Sequence, residues 1–279
     1  MNLYRTLTSR QNPFVKELCA LSDKKKRRQT GSFRFDGVKL FEEALKSNIS
    51  LLNIVIREDV AESLTPLCEC AVELGLIERD GIVCVSAEVF EKISEEKSPE
   101  GIICVAKMQD TLHKRLSAEE LAVEISTGER ILLAESLRDP GNLGTVMRSC
   151  AALGIDRLIM TDDCADIYSP RTLRAAMGAL FRQKTLTVDL SELPHAIELL
   201  RKSGRKIYAA ALHRDALNID ALEMSEGDAF VIGNEGHGLS NAVIDACTDC
   251  AIIPMSEGAE SLNAAAAAAI CIWETVRGR

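Results

Sequence analysis

Ile253-Pro-Met-Ser-Glu-Gly-Ala-Glu-Ser261-Leu-Asn263, followed by alanines from Ala264 to Ala269 and by Ile270-Cys-Ile-Trp273, is the stretch around which the chain can be read. A strand-like run ends at Pro254, and a loop containing Gly and Ser follows. The spacing then predicts a helix opening at about Ser261, whose hydroxyl suits an N-cap. The alanine run has high helix propensity and allows close helix packing. Two readings stay open here: a tight connection between a buried strand and a buried helix, or a turn that holds a small ligand against backbone donors.

Working back from this stretch, strand and helix signals alternate from Arg130 onward. Candidate strands cover 131–134, 158–161, 185–188, 207–212, 229–233 and 251–254. Candidate helices cover 142–153, 170–181, 193–202 and 240–247, with the last from Ser261. Such alternation predicts an α/β domain with a largely parallel sheet covered on both faces and ligands at the carboxyl ends of its strands.

Two further loops that follow strands carry unusual composition. Arg138-Asp-Pro-Gly-Asn142-Leu-Gly144-Thr-Val-Met-Arg148 turns into a helix that buries Leu143, Val146, Met147, Cys150 and Leu153 and sends Arg148 elsewhere. Gly233-Asn234-Glu235-Gly236-His237-Gly238 sets three glycines around one carboxylate. Neither matches a G-x-x-x-x-G-K-[ST] or G-x-G-x-x-G phosphate cradle. His237 reads as a solvent-facing loop residue, and Ser261 lacks the G-x-S-x-G elbow of a nucleophilic serine.

The amino-terminal part has a different character. Residues 1–50 hold eleven Lys and Arg against five Asp and Glu, a net of +6; with −9 overall, the rest of the chain carries −15. Much of the excess lies in Lys24, Lys25, Lys26, Arg27 and Arg28, followed by Phe33-Arg34-Phe35. Cations beside alternating aromatics suit RNA, with charges on phosphates and rings that stack. A solvated helix end followed by a strand that buries its Phe side chains fits the same residues. From Gly37 helices and strands alternate up to Ala106, which predicts a small α/β domain over 1–107. Residues 108–126 read as a linker and 127–279 as the larger domain.

At 279 residues, two domains are the natural expectation, and 47% hydrophobic with 27% charged residues is an ordinary globular balance. No apolar run reaches membrane-spanning length and the start lacks the apolar core of a secretion signal, so a cytoplasmic protein is expected. The ten cysteines are scattered through strands and helices, as reduced core-filling thiols are. Cys247-Thr-Asp-Cys250 lacks the second pair or the histidines that a metal site needs, so no metal is expected.

Taken together, Asn142-Leu-Gly-Thr-Val-Met-Arg148, Ile232-Gly-Asn-Glu235-Gly-His-Gly238-Leu-Ser and Ile253 to Asn263 resemble the three signature motifs of SpoU-type RNA ribose 2′-O-methyltransferases of the SPOUT superfamily, in order and spacing. Tyr168-Ser-Pro-Arg-Thr-Leu-Arg174 to Phe181 resembles that family's characteristic helix. Ser9 to Pro13 with Gly31 to Ala44 resembles, more loosely, its ribosomal-protein-like RNA-binding domain. The resemblance implies an α/β protein whose carboxyl-terminal parallel-sheet domain carries a deep trefoil knot, beside a smaller amino-terminal RNA-binding domain. It implies S-adenosyl-L-methionine bound by Gly233, Asn234, Gly236, Ile253, Met255, Ser261, Leu262 and Asn263, and a homodimer through the knotted domain whose active site draws on both subunits.

On the same basis Arg148, Asn142, Glu235, Ser261 and Asn263 are candidate catalytic residues. Lys24, Lys25, Lys26, Arg27, Arg28 and Arg34 are candidate RNA contacts. A guanidinium stays charged, so Arg148 suits a cation that bridges the target phosphate and the nascent alkoxide better than a base. The amino-terminal domain favours rRNA over tRNA as substrate. A noncatalytic RNA-binding or ribosome-assembly protein that keeps the knotted fold is the competing reading. Two departures from the family pattern stand out: Ala265, where many relatives carry Ser, and Asp36, where Glu is usual.

Overall fold

The computed structural model describes residues 5–213, 215–256 and 261–277, so residues 257–260 of the closing stretch lie outside the described residues. Backbone contacts divide the chain into two units, 1–109 with 168–181, and 110–167 with 182–279.

The first unit contains β1 (Arg5–Leu7), α1 (Pro13–Ala20), α2 (Lys24–Thr30), β2 (Ser32–Asp36), α3 (Val38–Lys46), β3 (Leu51–Arg57), α4 (Ala61–Glu73), β4 (Ile82–Val85), α5 (Ala87–Ile93) and β5 (Ile102–Lys107). Its sheet runs β1-β4-β3-β5-β2, with β5 antiparallel to both neighbours. α1 starts where the Asn12 side chain accepts the Phe14 N–H and Pro13 needs no donor of its own. The basic run forms a helix in its own right: Asp23 accepts the Lys26 N–H at its start, and Gly31 ends it in the left-handed region at φ 61°.

That helix corrects part of the RNA-contact expectation. Arg27 is only 2% exposed, and its Nη1 donates to the carbonyls of Leu21 and Ser22, both at 2.7 Å, closing the α1–α2 turn. Arg34 is equally buried, paired with Glu95 at 2.7 Å and donating to the Ile93 carbonyl. Phe33 and Phe35 are sealed in the core, against Tyr168 and Phe181 with ring centroids 4.6 and 5.2 Å away. Neither ring is available to stack on a base, because β2 is covered on both faces. Lys24, Lys25 and Arg28 stay exposed and Lys26 half-buried. Asp36 ends β2 beside the Ser94 hydroxyl, and burial pushes its carboxyl up to about 6.

Tyr168–Phe181 joins this unit from later in the chain and carries α8 (Pro170–Ala176). The single helix expected over 170–181 breaks at Met177 and Gly178, which both take positive φ. A Cβ on Gly178 would sit 2.6 Å from the Glu43 Cβ, so glycine is required where the segment turns.

The second unit contains β6 (His113–Arg115), α6 (Ala118–Glu124), β7 (Ile131–Ala134), α7 (Pro140–Leu153), β8 (Arg157–Thr161), β9 (Lys184–Val188), α9 (Leu193–Lys202), β10 (Ile207–Ala210), β11 (Leu217–Asn218), β12 (Ala229–Ile232), α10 (Asn241–Ala246), β13 (Asp249–Ile252) and α11 (Ala264–Val276). Its sheet is parallel throughout, in the order β11-β13-β10-β12-β7-β8-β9-β6. The central strands β7 and β12 are buried at every position, as parallel strands covered on both faces must be.

Residues 108–126, expected as a linker, instead supply the edge strand β6 beside β9 and the helix α6. α6 opens with a reciprocal Ser117/Glu120 capping box and buries Leu121 in the core cluster that also holds Leu193, Ile197 and Leu200 of α9. A polar strand of His113-Lys-Arg has no alternation to betray it. At the other end, α11 packs on α7 and β12. It opens at Ala264, three residues later than expected, because Asn263 and not Ser261 caps it.

Candidate active site

A parallel sheet puts all its carboxyl ends on one side, so the segments after β7, β10, β12 and β13 converge. Between the last three lies a cavity of about 400 Å³, lined by residues 233–238, Ile253, Met255, Ser261 and Leu262 over a small-residue floor that includes Ala210, Ala251 and Ala264. That volume falls within the range of small-molecule sites, about 300–1,000 Å³. Gly233 is required by close approach: a Cβ there would lie 2.4 Å from the Gly238 carbonyl carbon. Asn234 and Gly238 exchange backbone hydrogen bonds of 3.0 and 2.9 Å across the loop. The Asn234 side chain accepts from the Gly236 and His237 N–H groups at 2.9 and 3.1 Å and donates to the Ser136 carbonyl at 2.8 Å, tying this loop to the one after β7.

A relay of side chains joins the three loops. Glu235 accepts from the backbone N–H groups of Arg138 and Asp139, at 3.2 and 3.0 Å, and from Asn142 Nδ2 at 3.1 Å. Asn142 Oδ1 in turn accepts from Asn263 Nδ2 at 2.9 Å. Asn263 Oδ1 then accepts from the N–H groups of Ala265 and Ala266, at 2.9 and 3.3 Å, at the start of α11. The polarity is determined from both ends, because an ionised carboxylate only accepts and helix N–H groups only donate. Both amides can therefore be oriented in one way only. Burial alone would raise the Glu235 carboxyl, but hydrogen bonds from backbone and from Asn142 outweigh it and hold it below the ordinary glutamate value.

Beneath the relay, the β7–α7 loop is clamped by residues with no motif signature. Ser136 sits at positive φ, and its hydroxyl donates to Asp163 Oδ2 at 2.6 Å; Arg138 Nη2 reaches the same oxygen at 2.9 Å, and the Thr161 hydroxyl donates to Oδ1 at 2.7 Å. These bonds outweigh burial and lower the Asp163 carboxyl. Glu135, 4% exposed, accepts the Ser240 N–H at 2.8 Å and secures the start of α10. The available signal was positional: Thr161-Asp-Asp163 follows the carboxyl end of a strand.

Of the residues expected to hold a cofactor, Gly233, Asn234, Gly236, Ile253, Met255, Ser261 and Leu262 line the cavity, and Glu235 lines it with them. Asn142 and Asn263 stand behind its wall in the relay. Arg148 is exposed on α7, makes no hydrogen bond or ion pair among the described residues, and does not line the cavity of its own chain.

The SpoU rRNA methylase family model matches residues 129–273, more than half of the chain, and an MRM3-like substrate-binding domain model matches residues 12–104. The chain belongs to the SpoU rRNA methylase family. Among curated SpoU relatives, the 23S rRNA (guanosine(2553)-2′-O)-methyltransferase RlmP of Bacillus subtilis is 32% identical over 271 residues, covering 96% of this chain and 98% of that protein. The 23S rRNA (uridine(2479)-2′-O)-methyltransferase of Streptomyces viridochromogenes is 28% identical, covering 99% and 93%. Among solved structures, the AdoMet-bound rRNA methyltransferase from Sinorhizobium meliloti superposes with a TM-score of 0.80 at 26% identity, over 98% of each chain. The α/β architecture, with a parallel-sheet domain of the knotted SPOUT class and a smaller amino-terminal domain, is thus shared along nearly the whole length.

Proposed function

We propose that this SpoU family member is an S-adenosyl-L-methionine-dependent methyltransferase acting on a ribose 2′-hydroxyl of rRNA, working in the cytoplasm. The observation that carries the reading is the cavity at the carboxyl ends of the strands, lined by two motif loops and tied to α7 by the Glu235–Asn142–Asn263 relay. The residues present suit the cofactor. The cavity has the size of a small-molecule site, its small-residue floor leaves room for a ligand, and Gly233 allows close approach of backbone. When bound, S-adenosylmethionine supplies an electrophilic methyl group.

The chain's own contribution is positioning and charge. A ribose hydroxyl is a poor nucleophile, and a cation near the developing alkoxide lowers the barrier most when it is pre-oriented. We assign that cation to Arg148. Glu235, Asn142 and Asn263 hold α7, the glycine loop and the start of α11 in one register. Ser261, at the cavity, orients cofactor or ribose.

A homodimer through the knotted domain completes the proposal. Ile270 and Trp273 on α11 are 36% and 57% exposed, an apolar surface on the helix that packs against α7. An Arg148 that misses its own cavity fits an active site drawing on both subunits. Lys24, Lys25, Lys26 and Arg28 are the amino-terminal cations proposed to meet RNA phosphates.

Calorimetric titration of the full chain with S-adenosylmethionine is the first test, and saturable binding is expected. No heat at millimolar ligand would favour the noncatalytic RNA-binding or assembly reading. Comparing 2′-O-methyl maps of rRNA from cells with and without the gene then identifies the nucleotide.

A further inference from the structure

At the opposite, amino-terminal end of the same strands lies a feature that the methyl-transfer site does not use. α9 ends in Arg201 and Lys202, and Ser203-Gly204 leads to Arg205 and Lys206 immediately before β10. With Glu198 and Thr248 they border an open groove of about 420 Å³. Residues 182–279 hold nine Lys and Arg against fourteen Asp and Glu, so four of the nine cations fall within six residues of an otherwise acidic stretch.

These four cations are arranged unequally. Arg205 is 4% exposed; its Nη1 and Nη2 donate to the carbonyls of Glu129, Gly227 and Ser126, and its Nε has no hydrogen-bond partner among the described residues. It is a fixed charge in the groove wall. Arg201 donates to the Ala246 carbonyl at 2.7 Å. Lys202 and Lys206 are exposed, and neither makes an ion pair or a side-chain hydrogen bond among the described residues. Attraction to the carboxyl end of α9 accounts for Arg201 and Lys202, and carbonyl capping accounts for Arg205. Neither accounts for Lys206 or for the clustering of all four.

The groove sits at the amino ends of β10 and β13, whereas the cofactor cavity sits at their carboxyl ends. At roughly 3.3 Å per residue, the four residues of β10 separate the two by about 13 Å. An anion held here is therefore not part of the cofactor. Among the described residues no aromatic or large apolar side chain lines the groove, as a protein-docking core would require. Point charges on flexible stems are what sequence-independent contact with phosphodiesters uses.

We propose that Lys202 and Lys206, backed by Arg205 and Arg201, form a second RNA contact that takes backbone phosphates of the rRNA substrate remote from the target nucleotide. This rests on the RNA-methyltransferase reading above. The contact adds affinity and fixes the direction in which a structured RNA leaves the active site, without reading its sequence.

The test measures binding of the full chain to a 23S rRNA fragment over a series of salt concentrations, for the natural protein and for the double variant Lys202→Ala/Lys206→Ala. Each lysine removed should lower the slope of log affinity against log salt by about 1, and affinity near 0.1 M salt should fall about tenfold or more. Calorimetric S-adenosylmethionine affinity and the thermal midpoint should not change, and Lys202→Arg/Lys206→Arg should restore the slope. An unchanged slope and affinity in the alanine variant, with the natural protein binding RNA, would overturn the groove contact alone. Failure of the natural protein to bind RNA would overturn both this inference and the functional reading on which it rests.

Discussion

Glu235 is the residue on which the site's geometry turns. It accepts three N–H groups, two on Oε1 and one on Oε2, and so dictates which way Asn142 and Asn263 face. In Glu235→Gln the single carbonyl oxygen can keep the Asp139 and Asn142 bonds, but its amide then points a donor at the Arg138 N–H. Both groups are exposed, so water takes up part of the mismatch and the net loss should be about 0.5–1 kcal/mol. Chemical denaturation should register that loss, and the variant should also transfer methyl more slowly than it loses cofactor affinity. Equal stability and turnover would show that the relay does not position the loops. Because the Glu235 carboxyl is held below its ordinary value of 4.5, its contribution is complete above that value and is lost as pH falls through the lower folded value. Glu235→Gln should therefore flatten the acid limb of the stability curve. The motif residues were legible in the sequence, but their bonding was not. The relay depends on Asn263 accepting the helix N–H groups of Ala265 and Ala266 while its own amide N–H reaches Asn142, 121 positions earlier in the chain. Ala265 lies in the first turn of α11 with its side chain buried, and only its N–H serves the site.

At the level of elements, the basic helix α2 separates two kinds of cation that look alike in sequence. Arg27→Ala removes a hydrogen bond to the buried Leu21 carbonyl and another to the part-buried Ser22 carbonyl, and should destabilise the first unit by about 2–3 kcal/mol. Lys24→Ala/Lys25→Ala/Arg28→Ala should leave thermal unfolding almost unchanged and weaken RNA binding in a salt-dependent way, since these side chains are exposed. Matched unfolding and binding curves for the two variants check this; RNA affinity insensitive to the triple substitution would remove α2 from the RNA surface. Periodicity located most helices and strands to within a few residues, since α3, α5, β4, β7 and α9 each carry a clear apolar face or a fully buried run. Tertiary structure hid the others. β6 is polar because it lies at a sheet edge, α8 stops at Met177 because Gly178 must clear Glu43, and α11 waits for Asn263 because Asn142 holds that side chain in place.

For the molecule as a whole, the −9 net charge conceals two basic regions, α2 and the groove before β10, on an acidic background. This pattern suits a protein that meets RNA at chosen places and does not coat it. The division into two units was also only partly legible, because Tyr168–Phe181 belongs by sequence to the second and by contact to the first. Its Tyr168 hydroxyl accepts the Gln109 N–H at 2.8 Å, and Arg174 pairs with Glu96 at 2.7 Å, contacts that no local pattern announces. Arg148, proposed as the cation at the reacting oxygen, is the residue on which methyl transfer by this fold should depend most directly. The most direct measurement is methyl transfer to rRNA lacking the modification by Arg148→Ala, paired with calorimetric S-adenosylmethionine binding by the same variant. Cofactor affinity close to that of the natural protein, with turnover reduced by about a hundredfold or more, is the expected result. Turnover near that of the natural protein would contradict it.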